Sequence, residues 1–173
     1  ITAEYCRENN VPYLGICLGM QIAVIEFARN VLGIADADSG EFNRNCANKV
    51  IDFLPDQSDS TDKGGTLRLG SYPCKTAEGS LLQNCYGEKL IHERHRHRYE
   101  FNNDYRRQME AAGMVLSGTS PDDYIVEAVE LPKNDFFIGV QYHPEFKSRP
   151  NKPAPLFVGL VKRRLNGKEN KQK

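Results

Sequence analysis

The part of the chain that most constrains its fold is residues 11–33, "VPYLGICLGMQIAVIEFARNVLG", where a strand pattern changes abruptly into a helical one. The first six residues are an apolar run that predicts a buried strand, and after the turn apolar residues recur at three- and four-residue spacing. Gly15 and Gly19 flank the cysteine of the turn, Cys17, and glycine permits a sharp bend with a close approach of neighbouring chain. The segment therefore predicts a strand, a tight turn and a helix that meet at a cysteine.

The remainder of the chain alternates between predicted strands and helices. Further strands are expected at residues 49–55, 66–76, 89–102, 114–120, 124–131 and 136–143, a helix end at 1–8, further helices at 79–87, 104–113 and 155–167, and a surface loop or lid at 56–65. This order indicates an α/β fold, for which we expect a mostly parallel central sheet flanked by helices. We expect residues 1–165 to form one domain and residues 166–173 to be a disordered basic tail.

Composition excludes several classes of protein. The 173 residues carry 23 basic and 23 acidic side chains, so the net charge favours neither nucleic acid nor an anionic membrane as a partner. No apolar run approaches the ~20 residues that span a bilayer, and the first ten residues do not resemble a signal peptide. Five cysteines without a C-x-x-C pair argue against a disulfide framework or a zinc site. We therefore expect a cytoplasmic protein. Because the chain opens within a helix and without Met, we also expect it to be a piece of a larger one.

The G-x-C-x-G turn has two interpretations. Cys17 could be a small buried packing residue, which is the commoner role of a free cysteine. It could instead be a nucleophile on a strained strand-to-helix elbow, where the helix N-terminus favours the thiolate and the N–H of Leu18 points at a developing oxyanion.

A candidate base for such a nucleophile follows the last predicted strand, in "FFIGVQYHPEF". His143 lies at the carboxyl end of that strand, which is the edge of an α/β sheet where ligands bind. Glu145 is two residues further on and could hold the imidazole in one tautomer. Cys17, His143 and Glu145 are thus candidates for a Cys–His–Glu triad, the alternative being an ordinary turn with a surface Glu.

The other three histidines are crowded in "HERHRHRYE". Strand alternation puts His95 and His97 on one face and Arg94, Arg96 and Arg98 on the other. The interleaved arginines argue against a metal site. They would suit a carboxylate or phosphate, or could form a solvated, salt-bridged face.

Together these motifs resemble the class I glutamine amidotransferases, which share the cysteine elbow and "HPE". More narrowly, "LGICLGMQIAVIEFARNVLG", "GGTLRLG", "ERHRHRYEFN" and "VQYHPEFKSRPNKPAPLFVGLV" resemble the glutaminase domain of the CTP synthases. The resemblance implies that Cys17, His143 and Glu145 are catalytic. It implies a set of glutamine-binding residues: Leu18, Gly19, Met20, Gln21, Glu41 and Arg98. It also ties residues 64–70 to activation by GTP.

The resemblance further implies a reaction. L-Glutamine would be hydrolysed through a cysteine thioester, and the ammonia would reach a synthetase domain that uses ATP and Mg²⁺ to aminate UTP to CTP, in a homotetramer. The resemblance also implies that earlier strands and a second oxyanion donor precede Ile1. We therefore expect the 173 residues by themselves to have little or no glutaminase activity. Three alternatives stay open: an amidotransferase for GMP or carbamoyl phosphate synthesis, a γ-glutamyl peptidase, or a non-catalytic regulatory or filament-forming module.

Overall fold

The structure, a computed structural model, describes residues 1–53 and 68–169. Its helices are α1 (Thr2–Glu8), α2 (Leu18–Asn30), α3 (Leu81–Tyr86), α4 (Arg106–Ala111) and α5 (Pro155–Glu169). Its strands are β1 (Tyr13–Ile16), β2 (Asp38–Ser39), β3 (Lys49–Asp52), β4 (Arg68–Thr76), β5 (Leu90–His97), β6 (Glu100–Phe101), β7 (Val115–Thr119), β8 (Val126–Glu130) and β9 (Phe137–Val140). The predicted α/β class, with helices flanking a sheet, is therefore confirmed.

The main sheet has six strands in the order β1-β9-β8-β7-β4-β5. The pair β1–β9 is parallel, with Ile16 opposite Val140, whereas the other neighbouring pairs in this sheet are antiparallel. The prediction of a mostly parallel sheet is thus wrong in this respect, and the sheet is mixed. The reason is the short connections at residues 120–125 and 131–136, since a parallel crossover needs a dozen or more residues.

Helices cover both faces of the sheet, and β9 contributes side chains to the core on each face. Phe137 packs into a core cluster with α1 and α2, whereas Ile138 and Val140 point into a second cluster with Leu82 of α3 and Leu156 of α5. The strand is buried on both faces, as its continuous apolar sequence predicts. This places β9, and the residues that follow it, in the middle of the molecule beside β1.

The predicted strand at 89–102 and the predicted end of the last helix differ most clearly from the structure. The expected strand at 89–102 is broken after His97, and its end belongs to a small three-stranded sheet in the order β2-β3-β6. The final helix continues to Glu169, beyond residue 165, while residues 170–173 and the expected lid at 56–65 lie outside the described residues. No helix in the described part of the chain is long and apolar enough to cross a bilayer.

Candidate active site

The turn between β1 and α2 has the strained geometry that its sequence predicts. Cys17 has φ 51° and ψ −102°, a conformation that L residues rarely adopt and that costs about 1–3 kcal/mol. Its backbone N–H donates to the carbonyl of Val140 at 2.7 Å, which ties the elbow to the end of β9. A Cβ on Gly15 would lie 2.6 Å from the backbone carbon of Gly19, so glycine is required at 15. A Cβ on Gly19 would approach only the Tyr13 hydroxyl, at 3.8 Å, so closeness of packing does not require the second glycine.

The Cys17 thiol is half-buried, and its surroundings pull its pKa in opposite directions. Burial is the largest effect and raises the pKa above its ordinary value. The N–H of Leu18 and the side-chain amide of Gln141 oppose that rise, whereas the nearby carboxylates Glu100 and Glu145 add to it. The N–H at the helix N-terminus thus favours the thiolate, as the turn sequence predicts, but burial outweighs it. A nucleophile here needs a base to remove its proton.

His143 and Glu145 lie together at the same edge of the sheet as Cys17, because they follow β9 and β9 is the parallel neighbour of β1. The imidazole Nδ1 is 2.7 Å from the Glu145 Oε1. The ring stacks on Phe146 with centroids 4.7 Å apart, and the backbone N–H of His143 donates to the carbonyl of Arg94. A carboxylate accepts from Nδ1–H, which leaves the lone pair on Nε2. That Nε2 is buried and has no hydrogen-bond partner among the described residues.

A cleft of about 430 Å³ opens beside the elbow. Its lining residues are Cys17, Leu18, Gln21, Glu41, Phe42, Arg96, His97, Arg98 and Tyr99. Four of the six residues implied to bind glutamine thus line it, together with the cysteine. The cleft offers both carboxylate and guanidinium groups, which suits a ligand that carries an ammonium and a carboxylate.

The other two implied glutamine-binding residues, Gly19 and Met20, do not line this cleft. Met20 is fully buried in the core, where its Cα would lie 2.9 Å from a Cβ placed on Gly139. The Gly19 carbonyl accepts a hydrogen bond from the Tyr13 hydroxyl at 2.7 Å. In the structure these two residues support the elbow from below.

Beneath the cleft lies a buried polar cluster that carries the inward-facing histidines. Strand alternation along β5 is as predicted: His95 and His97 are buried, and Arg94 and Arg96, which alternate with them, are exposed. His95 Nδ1 is 2.8 Å from His97 Nε2, and His97 Nδ1 is 3.2 Å from the Tyr99 carbonyl. A carbonyl only accepts, so the His97 proton is on Nδ1 and His95 donates to its Nε2.

Acidic and basic side chains complete this cluster. Arg68 donates to both carboxylate oxygens of Glu127, and it also contacts Glu100 at 3.4 Å. The structure therefore assigns the two histidines to a structural network. Among the described residues, no group of three or more His, Cys, Asp or Glu could hold a metal ion.

The site contains residues that the sequence reasoning missed, among them Phe42 in the lining of the cleft and Gln141. Gln141 is fully buried, and its side-chain Nε2 lies 3.6 Å from the Cys17 sulfur. It stands two residues before His143, in the same segment. That i, i+2 spacing was a signal that could have identified it, since alternate residues of an extended chain share a side.

Comparison with known proteins agrees with this geometry. The family model of class I glutamine amidotransferases matches residues 2–163. The chain therefore belongs to the class I glutamine amidotransferase family.

Within that family the similarity is more specific. The chain is 60% identical over 168 residues to the CTP synthase of Staphylococcus saprophyticus, and equally so to that of Staphylococcus aureus strain JH9. A solved structure of the Trypanosoma brucei CTPS glutaminase domain with bound acivicin superposes with a TM-score of 0.86 at 38% identity, covering 93% of this chain and 62% of that one. A glutamine amidotransferase from Thermotoga maritima, at 17% identity and a TM-score of 0.51 over 83% of this chain and 45% of that one, shares the fold. The alignments cover 97% of this chain but only 31% of the length of the two bacterial CTP synthases.

Proposed function

We propose that the chain is the glutaminase part of a CTP synthase and that it hydrolyses L-glutamine through a thioester on Cys17. The observation that carries the proposal is the His143–Glu145 pair at the carboxyl end of β9. The carboxylate engages Nδ1 at 2.7 Å and leaves a buried Nε2, without a hydrogen-bond partner in the described part of the chain, at the end of the strands where the Cys17 elbow emerges. A raised thiol pKa and an oriented imidazole are complementary features of a nucleophile and its base.

The proposed chemistry follows from the atoms available. His143 Nε2 takes the proton of the Cys17 thiol, and the sulfur attacks the side-chain amide carbon of glutamine. The carbonyl oxygen becomes an oxyanion that accepts a hydrogen bond from the N–H of Leu18. His143 then gives its proton to the departing nitrogen, ammonia leaves, and a glutamyl thioester remains. Water, deprotonated by the same imidazole, hydrolyses the thioester to glutamate and restores the thiol.

The cleft provides the means to hold the substrate. We propose that Glu41 binds the α-ammonium of glutamine and that Arg98 binds its α-carboxylate, with Leu18 and Gln21 contacting the side chain. Gly19 and Met20 would affect glutamine binding indirectly, by shaping the elbow that carries Cys17 and Leu18. Exclusion of the shorter substrate asparagine would follow from the fixed distance between these anchors and Cys17.

For the whole protein we propose that the ammonia aminates UTP to CTP in a synthetase domain that binds ATP and Mg²⁺, within a homotetramer. The similarity to CTP synthases supports this, and no residue of the described chain is assigned to ATP or Mg²⁺. We also propose that residues 64–70 take part in activation by GTP; of these, residues 64–67 lie outside the described residues. We propose a cytoplasmic location, with which the five free cysteines agree, since thiols stay reduced there.

Covalent labelling of the intact protein with a chloroketone analogue of glutamine tests the triad. We expect modification of Cys17, protection by L-glutamine, and labelling and glutamate release lowered ~10²–10⁴-fold in His143→Ala. Cys46→Ser is the matched control, because Cys46 is also partly exposed but lies outside the cleft, and it should label as the wild type does. Modification of another cysteine with Cys17 untouched would overturn the proposal.

A further inference from the structure

The amide of Gln141 lies between the sulfur of the elbow and the buried side chain of Gln21. Its Nε2 is 3.6 Å from the Cys17 Sγ, and its Oε1 is 3.1 Å from the Gln21 Nε2. The Gln21 Nε2 also donates to the backbone carbonyl of Tyr99 at 3.0 Å. Both glutamine side chains are almost wholly buried, at 3% exposure for Gln21 and 0% for Gln141. The sulfur is therefore the end of a chain of hydrogen bonds that begins at a backbone carbonyl.

That carbonyl determines the direction of the whole chain. The Tyr99 oxygen can only accept, so Gln21 must present its NH₂ group there, and the same NH₂ donates to Gln141. The Gln141 oxygen is thereby used as an acceptor, and its NH₂ group is the one turned to the sulfur. A reversed Gln141 would place two NH₂ groups against each other and its oxygen against the sulfur. The network thus permits one orientation, in which a donor faces Cys17.

The backbone holds Gln141 in place as well. Its N–H donates to the Glu127 carbonyl on β8 at 2.8 Å, just beyond the last residue of β9. Because both the backbone and the side chain are anchored, the amide has little freedom to move away from the sulfur. The segment from 141 to 145 then provides three groups to one site: an amide, an imidazole and a carboxylate.

We propose that Gln141 is a positioning residue, whose amide N–H holds the Cys17 sulfur in place and stabilises its thiolate form. The inference rests on the proposed role of Cys17 as the nucleophile and adds a residue to that site. A hydrogen bond to a charged acceptor is about twice as strong as one to a neutral acceptor, so the amide favours the thiolate over the thiol. It counteracts the burial and the two carboxylates that favour the protonated thiol. His143 Nε2 receives the proton, and Gln141 keeps the sulfur in the position from which it attacks.

The test is the pH dependence of Cys17 alkylation by iodoacetamide in the intact protein, followed by mass spectrometry of the Cys17 peptide. Gln141→Met keeps most of the volume and removes the donor, whereas Gln141→Glu keeps the shape and replaces the donor with a negative charge once its carboxyl group is ionised. We expect alkylation at neutral pH to fall about tenfold in Gln141→Met, with its midpoint at higher pH, and we expect the midpoint of Gln141→Glu to lie higher still. Gln108→Met, an exposed change on α4, is the matched control and should leave the curve unchanged.

A residue that merely packs would lower the melting temperature and leave the alkylation midpoint where it is in the wild type. A folded Gln141→Met protein with the wild-type midpoint would therefore overturn the inference. If Gln141→Met does not fold, the isosteric Gln141→Glu decides, and a midpoint equal to that of the wild type contradicts it. Failure of the triad proposal looks different, because then Cys17 of the wild type would not react with the glutamine chloroketone.

Discussion

The buried histidines and Glu100 beneath the cleft should make the free energy of unfolding pass through a maximum near pH 6.5. His95, His97 and Glu100 are only 1%, 7% and 1% exposed. Burial, helped by the positive charge of Arg68, lowers the pKa of His95 to about 2 and that of His97 to about 3. Burial raises the pKa of Glu100 to about 8, although Arg68 opposes the rise.

The sign of each contribution follows from which state binds more protons. Below pH 6.5 both histidines are protonated in the unfolded chain and neutral in the folded one, so stability falls with acid by about 2.7 kcal/mol per pH unit. Glu100 acts in the opposite direction, since between its ordinary value of 4.5 and about 8 only the folded protein keeps its proton. That group lowers stability by about 1.4 kcal/mol for each unit of rising pH. Glu127, whose pKa is also raised by burial, acts with the same sign as Glu100.

Together the two histidines and Glu100 make stability rise by about 1.4 kcal/mol per unit up to pH 6.5 and fall by about 1.4 kcal/mol per unit from there to pH 8. Glu100→Gln should remove the contribution of Glu100, which makes the profile between pH 6.5 and 8 shallower by about 2 kcal/mol in total and the rise below pH 6.5 steeper than in the wild type. The exposed Glu110→Gln is the matched control and should keep the wild-type profile.

Hydrogen exchange of peptides from β5, corrected for the intrinsic rate at each pH between 5 and 8.5, measures this opening free energy in the intact protein. A wild-type profile that keeps rising from pH 6.5 to 8 would refute the reasoning. So would a Glu100→Gln profile that coincides with the wild type.

Three further variants test the packing of the elbow and the value of a buried ion pair against an exposed one. Gly15→Ala should lower the free energy of unfolding by more than about 3 kcal/mol and loosen the elbow, because the new Cβ would meet the Gly19 backbone at 2.6–2.7 Å. We expect faster hydrogen exchange in the α2 peptide, and an unchanged rate would contradict this. Arg7→Met should cost about 2–4 kcal/mol, because it leaves the buried Glu26 carboxylate without the cation that now contacts it at 2.7 Å. Lys75→Met, which removes one partner of an exposed pair, should cost less than about 1 kcal/mol, and equal thermal shifts for these last two variants would disprove the argument from burial.

Local patterns predicted the parts of the fold that depend on neighbours in sequence. The strand before Cys17, the helix after it and the alternation of buried histidines with exposed arginines along β5 all occur, although the strand before Cys17 is largely half-buried where its sequence predicted a buried one. Each of these follows from the two periodicities of regular backbone, which a short window of residues displays. The strained φ of Cys17 belongs to the same class, because it follows from a sharp strand-to-helix turn.

Local sequence patterns did not predict which distant strands pair or in which direction. The sequence pattern led to a mostly parallel sheet, yet the short loops at 120–125 and 131–136 make three consecutive strands antiparallel. Among the described strands of the main sheet, β1 and β9 form the one parallel pair, and it joins residues more than 120 positions apart. The candidate site depends on this pair, since it brings the Cys17 elbow and the His143 segment together at the carboxyl ends of the two strands.

The order of residues predicts which chemical groups this chain has and the local backbone that carries each one: a cysteine on a strained elbow, and a histidine and a glutamate just after a buried strand. How those groups behave depends on the packing of distant segments around them. It brought Gln141 against the sulfur, buried the thiol enough to raise its pKa, and assigned Met20 to the core. The physical reason is that burial and hydrogen-bond direction are properties of the space around a side chain, and distant segments fill that space.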